Sequence, residues 1–255
     1  MCLRTTCICR VASSRSFRKS ALYYEAVYDE IYDPYSGKAY GAESKRLRHL
    51  IGRHNRSNGR SLLDVPCGTG RHLQYLKAWF DVEGLDINRK MLALARKRDP
   101  GIRFHRGDIR TFKLRERFDV ITCLFSAIGY MTTRAQLREA VRNMSFHLKA
   151  GGVLVVEPWV HRQEFKSGSL HAVLVSQPKL KLVRIGRSSV RGRTSIISFR
   201  YLVGTPRTTR CFSRSEKFGL FTHSEYLASF RAAGLKVTYY SKGLAGRGLY
   251  VGVKM

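Results

Sequence analysis

Residues 62–70 read LLDVPCGTG, and a segment with helical periodicity follows directly. A short apolar run that ends in an acid is typical of a buried strand. Gly68 and Gly70 come where this strand would turn into the helix, and glycine both permits positive φ and lacks the Cβ atom that keeps a ligand away from the backbone. The stretch therefore predicts a strand, turn and helix whose turn lies against a bound molecule.

The same alternation of strand and helix continues along the chain. Predicted strands cover residues 61–65, 80–85, 103–106, 118–125 and 153–157, and predicted helices cover residues 40–53, 71–79, 89–97 and 134–148. Short buried strands that alternate with helices are typical of a parallel sheet with helices on both faces. The predicted fold class is therefore α/β, with a doubly wound, Rossmann-like sheet.

A second kind of pattern lies between Trp159 and Thr222. The segments LKLVRI, TSIISFRYLV and RCFSRSEKFGLF alternate as antiparallel strands do. They predict a small antiparallel β insertion (160–220) after the fifth core strand, which either covers the site at the strand ends or forms a homodimer contact. A helix at 224–233 and strands at 236–241 and 249–254 would then complete the core sheet. The predicted parts of the chain are therefore N-terminal helices that close the cofactor site (23–58), a cofactor-binding core (59–159), the insertion, and a C-terminal part (221–255).

Composition excludes several classes of protein. With 255 residues and 44% hydrophobic residues, the chain can bury a large core. No apolar run approaches the roughly 20 residues of a membrane span. The six cysteines form no CxxC pair and no cluster with zinc spacing, which predicts no metal site and a reducing, cytoplasmic location.

Residues 1–22 are predicted to be a disordered basic tail, with a transit segment and a misplaced start codon as alternatives.

The formal net charge of +29 indicates affinity for anions. Nucleic acid, an acidic membrane and phosphorylated metabolites are all candidates. The alternative is that the arginines only solvate the surface, since no RNA-binding signature accompanies the charge. Both interpretations remain open from the sequence.

Two acids at the ends of predicted strands suggest a nucleoside. Asp86 ends the second strand and Asp108 follows the third. A carboxylate at the end of the second strand can accept both ribose hydroxyls. The alternatives are a helix cap at Asp86 and a turn at Asp108. Leu73 stands where a dinucleotide fingerprint needs a third glycine, and no phosphate loop exists. A cofactor with ribose and adenine but no phosphate, namely S-adenosylmethionine, fits best.

The segments LLDVPCGTGRHL, VEGLDINRKMLALAR, GDIRTF, FDVITCLFSAIGYM and LKAGGVLVVEPW resemble those of class I S-adenosylmethionine-dependent methyltransferases. More narrowly, YDEIYDPYSGKAY, CLFSAIGYM, EPW, LFTHSEYLASFRAAGL and GRGLYVGV resemble the nucleotide-sugar N,N-dimethyltransferases of amino-deoxysugar biosynthesis. This resemblance covers nearly everything after Tyr23. It implies a small-molecule acceptor that is methylated on nitrogen, either an amino sugar on a nucleoside diphosphate or a similar small amine. Because family members with these core motifs also methylate other small acceptors, the choice between nitrogen and oxygen stays open from the sequence.

The resemblance also implies roles for cofactor residues. Asp86 would hold the ribose, Asp108 and Ile109 the adenine, and residues 66–70 would pass under the methionyl part. The full implied set is Tyr32, Lys38, Tyr40, Asp64, Pro66, Cys67, Gly68, Thr69, Gly70, Asp86, Ile87, Asp108, Ile109, Leu124 and Phe125. For the tyrosines, ordinary helix packing is the alternative.

The acceptor side departs from the family pattern. Tyr130 stands where the sugar enzymes have histidine, Val160 follows Trp159 where they have a second tryptophan, and Arg187 replaces another histidine. Because the ordinary pKa of tyrosine is about 10, Tyr130 is predicted to position the acceptor and not to act as a base. The predicted substrate-binding residues are Trp159, Arg184, Arg187 and Arg247. The competing hypothesis, from charge alone, is a methyltransferase or binding protein that acts on nucleic acid.

Overall fold

The computed structural model describes residues 39–255. The helices are α1 (Tyr40–His54), α2 (Arg71–Leu76), α3 (Arg89–Arg98), α4 (Arg134–Phe146) and α5 (His223–Ala232), and a 3₁₀ helix covers Ala127–Tyr130. The strands are β1 (Ser61–Asp64), β2 (Asp81–Asp86), β3 (Arg103–Arg106), β4 (Phe118–Cys123), β5 (Leu148–Val156), β6 (Leu170–Gln177), β7 (Leu180–Arg191), β8 (Thr194–Thr205), β9 (Thr208–Gly219), β10 (Leu235–Tyr240) and β11 (Leu249–Lys254). Within residues 39–255, no helix combines the length and apolar character that crossing a membrane requires.

The core is a seven-stranded sheet in the order β10-β11-β5-β4-β1-β2-β3. Strands β1 to β5 pair in parallel, and β11 is antiparallel to both β5 and β10. Leu47, Leu73 and Leu92 from α1, α2 and α3 belong to one buried cluster, and Leu137 and Phe230 from α4 and α5 belong to another. Helices therefore cover both faces, which confirms the predicted doubly wound α/β fold. The carboxyl ends of the parallel strands meet at one edge, where ligands bind in such sheets.

The predicted antiparallel insertion is a four-stranded sheet in the order β6-β7-β8-β9. Most of it, Gly168–Ser189 with Ile196–Glu216, forms a compact unit of its own, whereas Val190–Ser195 and the residues from Lys217 onward group with the core. Its buried cluster consists of Val175, Leu182, Tyr201 and Val203. Strand β6, which was not among the individually predicted segments, completes this sheet. Its role as a lid or dimer contact stays a prediction.

Two predicted boundaries shift at β4 and β5. Strand β4 was predicted to reach Phe125 but ends at Cys123, because Phe125 and Ser126 adopt left-handed conformations with φ of 53° and 59°. Strand β5 was predicted to begin at Val153 but begins at Leu148, which pairs with Phe118 beside a register irregularity. Both shifts reflect tertiary pairing that periodicity does not contain.

Candidate active site

The loop after β1 is held close to the neighbouring strand β2. Cys67 N–H donates to the Leu85 carbonyl at 2.9 Å, and a Cβ atom on Gly84 would lie 2.8 Å from Cys67 Sγ. Gly68 and Gly70 have φ of 55° and 76°, a conformation that favours glycine. Among residues 39–255, no atom would lie within 4 Å of a Cβ atom on Gly68. Within this part of the chain the loop therefore leaves the space beside Gly68 open, as a ligand that runs along the backbone requires.

Asp86 lies beside this loop at the end of β2. Its Oδ2 accepts from Gly68 N–H at 2.9 Å and its Oδ1 from Asn88 N–H at 2.8 Å. Burial raises the pKa of Asp86, and these backbone donors oppose the rise. The side chain that caps α3 is Asn88, which accepts from the N–H groups of Lys90 and Met91. A carboxylate offers about four acceptor sites, so Asp86 can hold the loop and still accept ribose hydroxyls.

Asp64 ends β1 and is buried with 2% of its surface exposed. Its Oδ1 accepts from Thr122 Oγ1 at 2.7 Å. Burial raises the pKa of Asp64 from its ordinary value of 3.8 to about 6, against the opposing effects of His72 and Thr122. At neutral pH this carboxylate is therefore ionised at a cost in folding free energy.

We expect Asp64→Asn to stabilise the protein at pH 7. Between pH 3.8 and about 6 the folded wild type retains a proton that the unfolded chain releases, so its free energy of unfolding falls as the pH rises through this window, by on the order of 2–3 kcal/mol. Asparagine can still accept from Thr122 but does not ionise. Urea unfolding of both proteins from pH 4 to 8 checks this, and parallel stability curves would contradict it.

Asp108 is engaged by its neighbour Arg110. Its Oδ1 accepts from Arg110 N–H at 2.9 Å, and the guanidinium reaches Oδ2 at 2.6 Å. The hydrogen bond from the Arg110 side chain is the main cause that lowers the pKa of Asp108. The Ile109 side chain is buried in the core, so only its backbone is available to a ligand. A contact between Asp108 and adenine stays a prediction.

The other predicted cofactor residues differ in exposure. Ile87 is 58% exposed beside Asp86, whereas Leu124 is 3% exposed in the core. The Val65-Pro66 bond is cis. Burial raises the pKa of the Cys67 thiol well above its ordinary value, so Cys67 stays protonated and lies in the site as a small apolar group. Tyr32 and Lys38 lie outside the described residues.

A buried histidine, which no sequence motif had indicated, supports the start of α1. His72, the second residue of α2, has Nε2 at 3.0 Å from Glu43 Oε2, with both residues buried. The Tyr40 ring packs edge-on against His72 at 4.8 Å between ring centroids. These contacts join α1 to the helix that follows the glycine loop. The two partners are separated by 29 positions, and no local motif links them.

An aromatic stack joins Tyr130 and Trp159, which follow β4 and β5, through Phe218 of β9. Tyr130 is 50% exposed, and its ring centroid lies 5.0 Å from that of Phe218. Phe218 stacks on Trp159 at 4.5 Å, and the Arg247 guanidinium carbon lies 5.4 Å from the centroid of the Trp159 ring. The stack combines three of the predicted acceptor residues with Phe218, which sequence analysis had placed in the insertion without a role.

Hydrogen bonds and a glycine fix the position of Trp159 in this stack. Its indole N–H donates to Ser195 Oγ at 3.0 Å, and Ser195 Oγ donates to the Phe218 carbonyl at 3.2 Å. A Cβ atom on Gly129 would lie 2.8 Å from Trp159 Cβ, so glycine permits this close approach. The ring is therefore oriented before any acceptor arrives.

Arg184 and Arg187 do not form one anion site. They are three residues apart on β7, which pairs with β6 in an unbroken antiparallel register, so their side chains leave opposite faces of the sheet. Arg184 lies over the Phe199 ring at 5.2 Å, and Arg187 is exposed. At most one of them can face a given diphosphate across this sheet.

Comparison with known proteins agrees with the fold described above. A family model described as a methyltransferase domain matches residues 62–152. The chain is 38% identical over 90% of its length to the dTDP-3-amino-3,4,6-trideoxy-α-D-glucopyranose N,N-dimethyltransferase of Streptomyces venezuelae, covering 99% of it. It is 38% identical over 94% of its length to the dTDP-4-amino-2,3,4,6-tetradeoxy-D-glucose N,N-dimethyltransferase of Saccharopolyspora spinosa, covering 98% of it. The solved structure of a SAM-bound amino pentose methyltransferase from Micromonospora echinaspora is 41% identical, with a TM-score of 0.82, and the match covers 91% of this chain and 97% of that one.

Proposed function

We propose that this chain, which belongs to the family of S-adenosylmethionine-dependent sugar N,N-dimethyltransferases, methylates the amine of an amino sugar carried on a nucleoside diphosphate. The observation that carries the proposal is the stack of Tyr130, Phe218, Trp159 and Arg247, in which Tyr130 follows β4, the strand that pairs with β1. Aromatic faces suit the apolar face of a deoxysugar, and a guanidinium suits a phosphate oxygen. The two relatives described above are named for a 3-amino and a 4-amino sugar, so the position of the amine on the acceptor is left to experiment.

The residues present fit S-adenosylmethionine. Gly68 opens the loop for the methionyl part, and Asp86 retains acceptor sites for the ribose hydroxyls. Bound there, the cofactor supplies a methyl group that is activated by its sulfonium. In our proposal the protein holds the acceptor nitrogen in line with the bond that breaks, an effect worth about 7–11 kcal/mol in well-oriented reactions. The acceptor arrives as a neutral amine; transfer leaves its nitrogen as a cationic ammonium, which then loses one proton to water.

A panel of acceptors tests the proposal. The purified protein is incubated with S-adenosylmethionine and, in turn, dTDP-linked 3-amino and 4-amino hexoses, the same sugars without the nucleotide, short RNA and duplex DNA. We expect release of S-adenosylhomocysteine, together with a methylated product in the mass spectrum, for at least one dTDP-linked sugar. The mass gain also distinguishes one methyl group from two. Turnover with a polynucleotide and with none of the sugars would contradict the proposal.

We expect Tyr130→Phe to retain most of the turnover. The Phe218 contact uses the Tyr130 ring, which phenylalanine keeps, and a tyrosine hydroxyl with an ordinary pKa near 10 is a poor base at neutral pH. Tyr130→Ala removes the ring as well and should raise the KM for the acceptor. Steady-state kinetics of both variants check this. A loss of several orders of magnitude in kcat for Tyr130→Phe, with unchanged acceptor KM, would assign a proton-transfer role to the hydroxyl.

A further inference from the structure

Glu157 follows β5, and its side chain accepts a hydrogen bond that a backbone carbonyl would accept if the strand pairing continued. In the parallel ladder Cys123 lies opposite Val156, and Glu157 N–H donates to the Cys123 carbonyl at 2.9 Å. If the ladder continued, Phe125 N–H would donate to the backbone carbonyl of Glu157. Instead it donates to the carboxylate Oε2 at 2.6 Å. We propose that Glu157 is a positioning residue for methyl transfer, whose carboxylate fixes the turn at Phe125 and Ser126 that precedes Tyr130.

The turn needs an external restraint. Phe125 and Ser126 have φ of 53° and 59°, a left-handed conformation that side chains other than glycine adopt at a free-energy cost and that persists only where the surroundings enforce it. Without this acceptor, Phe125 N–H would lose the bond that replaces strand pairing, and the chain could relax toward continued pairing. The carboxylate thus stabilises the turn over the extended alternative.

The residue after Glu157 holds the second half of the turn. Ser126 Oγ donates to the Pro158 carbonyl at 2.7 Å and accepts from Arg247 Nη1 at 3.0 Å. Glu157 and Pro158 therefore restrain consecutive residues of the turn, one through a side chain and one through a carbonyl. Arg247, which lies over Trp159, is joined to the same hydroxyl.

The turn leads directly into the 3₁₀ helix that ends at Tyr130. Ala127 N–H donates to the Leu124 carbonyl at 3.1 Å, and Gly129 N–H donates to the Ser126 carbonyl at 2.9 Å. A change at Phe125 would therefore shift the whole helix and the ring that packs on Phe218. Since effective in-line geometry tolerates little displacement, the expected consequence is a lower kcat.

The chemistry of the Glu157 site favours this role over a contribution to stability. The residue is fully buried, and its Oε1 has no hydrogen-bond partner among residues 39–255. A buried carboxylate with an unsatisfied oxygen destabilises a fold more than an apolar side chain of equal size. Both oxygens of a carboxylate are acceptors, so either rotamer presents an acceptor to Phe125 N–H. A glutamate at position 157 therefore provides an acceptor for Phe125 N–H in either rotamer.

Three variants test the proposal, which rests on the proposed function for its kinetic part. E157M keeps the length of the side chain but removes the acceptor, E157Q retains one acceptor oxygen, and Ser145→Ala removes a different buried bond, from Ser145 Oγ to the Ala233 carbonyl at 2.8 Å. We expect kcat to fall about tenfold or more in E157M while the Kd for S-adenosylhomocysteine changes by less than about threefold. E157Q should restore most of the lost kcat. The proposal would be overturned if E157M and Ser145→Ala had the same kcat at equal folding stability.

A measurement on the unmodified protein needs neither an acceptor nor a stable E157M. In a sample labelled with ¹⁵N-phenylalanine, the Phe125 amide is assigned among 13 phenylalanines by its loss in Phe125→Leu. A short bond to a carboxylate predicts a downfield amide proton, protected from exchange, that moves upfield in E157Q. An amide at an ordinary shift that exchanges rapidly would overturn the proposal. Because this result does not depend on turnover, failure of the Glu157 proposal is distinguishable from failure of the proposed acceptor.

Discussion

Asp86→Ala is expected to weaken the binding of S-adenosylmethionine by about 10- to 150-fold, or roughly 1.5–3 kcal/mol, the range for hydrogen bonds to a charged group. The carboxylate has two effects on the site. It accepts the N–H groups of Gly68 and Asn88, which orients the glycine loop, and its remaining acceptor sites are proposed to hold the ribose. Alanine removes both effects together. Titration calorimetry with S-adenosylmethionine or S-adenosylhomocysteine measures the loss.

Asp81→Ala is the matched control for this experiment. Asp81 begins the same strand, β2, and its side chain is 72% exposed beside Arg60, so its removal changes the net charge equally without touching the loop. We expect its cofactor affinity to equal that of the wild type. If folded Asp86→Ala also binds the cofactor normally, then Asp86 supports binding neither through the ribose nor through the order of the glycine loop.

Much of the core sheet could be predicted from the sequence because its signals are local. Gly68 and Gly70 mark the turn after β1, and apolar runs mark the strands; β11 was predicted with the bounds that the structure gives, Leu249–Lys254. Helix α2 was predicted to reach Trp79 but ends at Leu76. That boundary depends on how the chain enters β2, where Asp81 N–H donates to the Arg60 carbonyl at 2.9 Å. Contacts of this kind join distant parts of the chain.

The site could be predicted only in part, for the same physical reason. Asp86 was identified because it ends a strand, and the structure resolves its alternative role by giving the helix cap to Asn88. Phe218 and Glu157 were missed, since what defines them is contact with Trp159 and Phe125. The pairing of Asp108 with Arg110 was also missed, although the two residues are near neighbours, because an acid followed by an arginine is common on surfaces.

Arg247→Ala is expected to weaken binding of a nucleotide-linked acceptor by about 10- to 150-fold, or roughly 1.5–3 kcal/mol, while cofactor affinity stays nearly constant. Arg247 is held by the Trp159 ring and by one hydrogen bond to Ser126 Oγ. That bond uses one of the five N–H donors of a guanidinium, and a preoriented planar fork binds phosphate oxygens with little loss of side-chain freedom. Arg247→Lys keeps the charge but not the fork, and should recover only part of the loss.

Arg231→Ala provides the control, since Arg231 is exposed in the last turn of α5 and its loss changes the net charge by the same amount. If the acceptor is a nucleotide-linked sugar, Arg247→Ala raises its KM and Arg231→Ala does not.

If the charge of +29 serves a polyanion instead, the two variants weaken binding equally, and affinity for short RNA or duplex DNA falls steeply with salt because each neutralised phosphate releases counterions. Titrations from low to physiological salt distinguish these cases. Polymer binding that survives physiological salt, together with methyl transfer to the polymer, would contradict the sugar acceptor, whereas weak binding that salt abolishes would leave Arg247 as a specific contact on a basic surface.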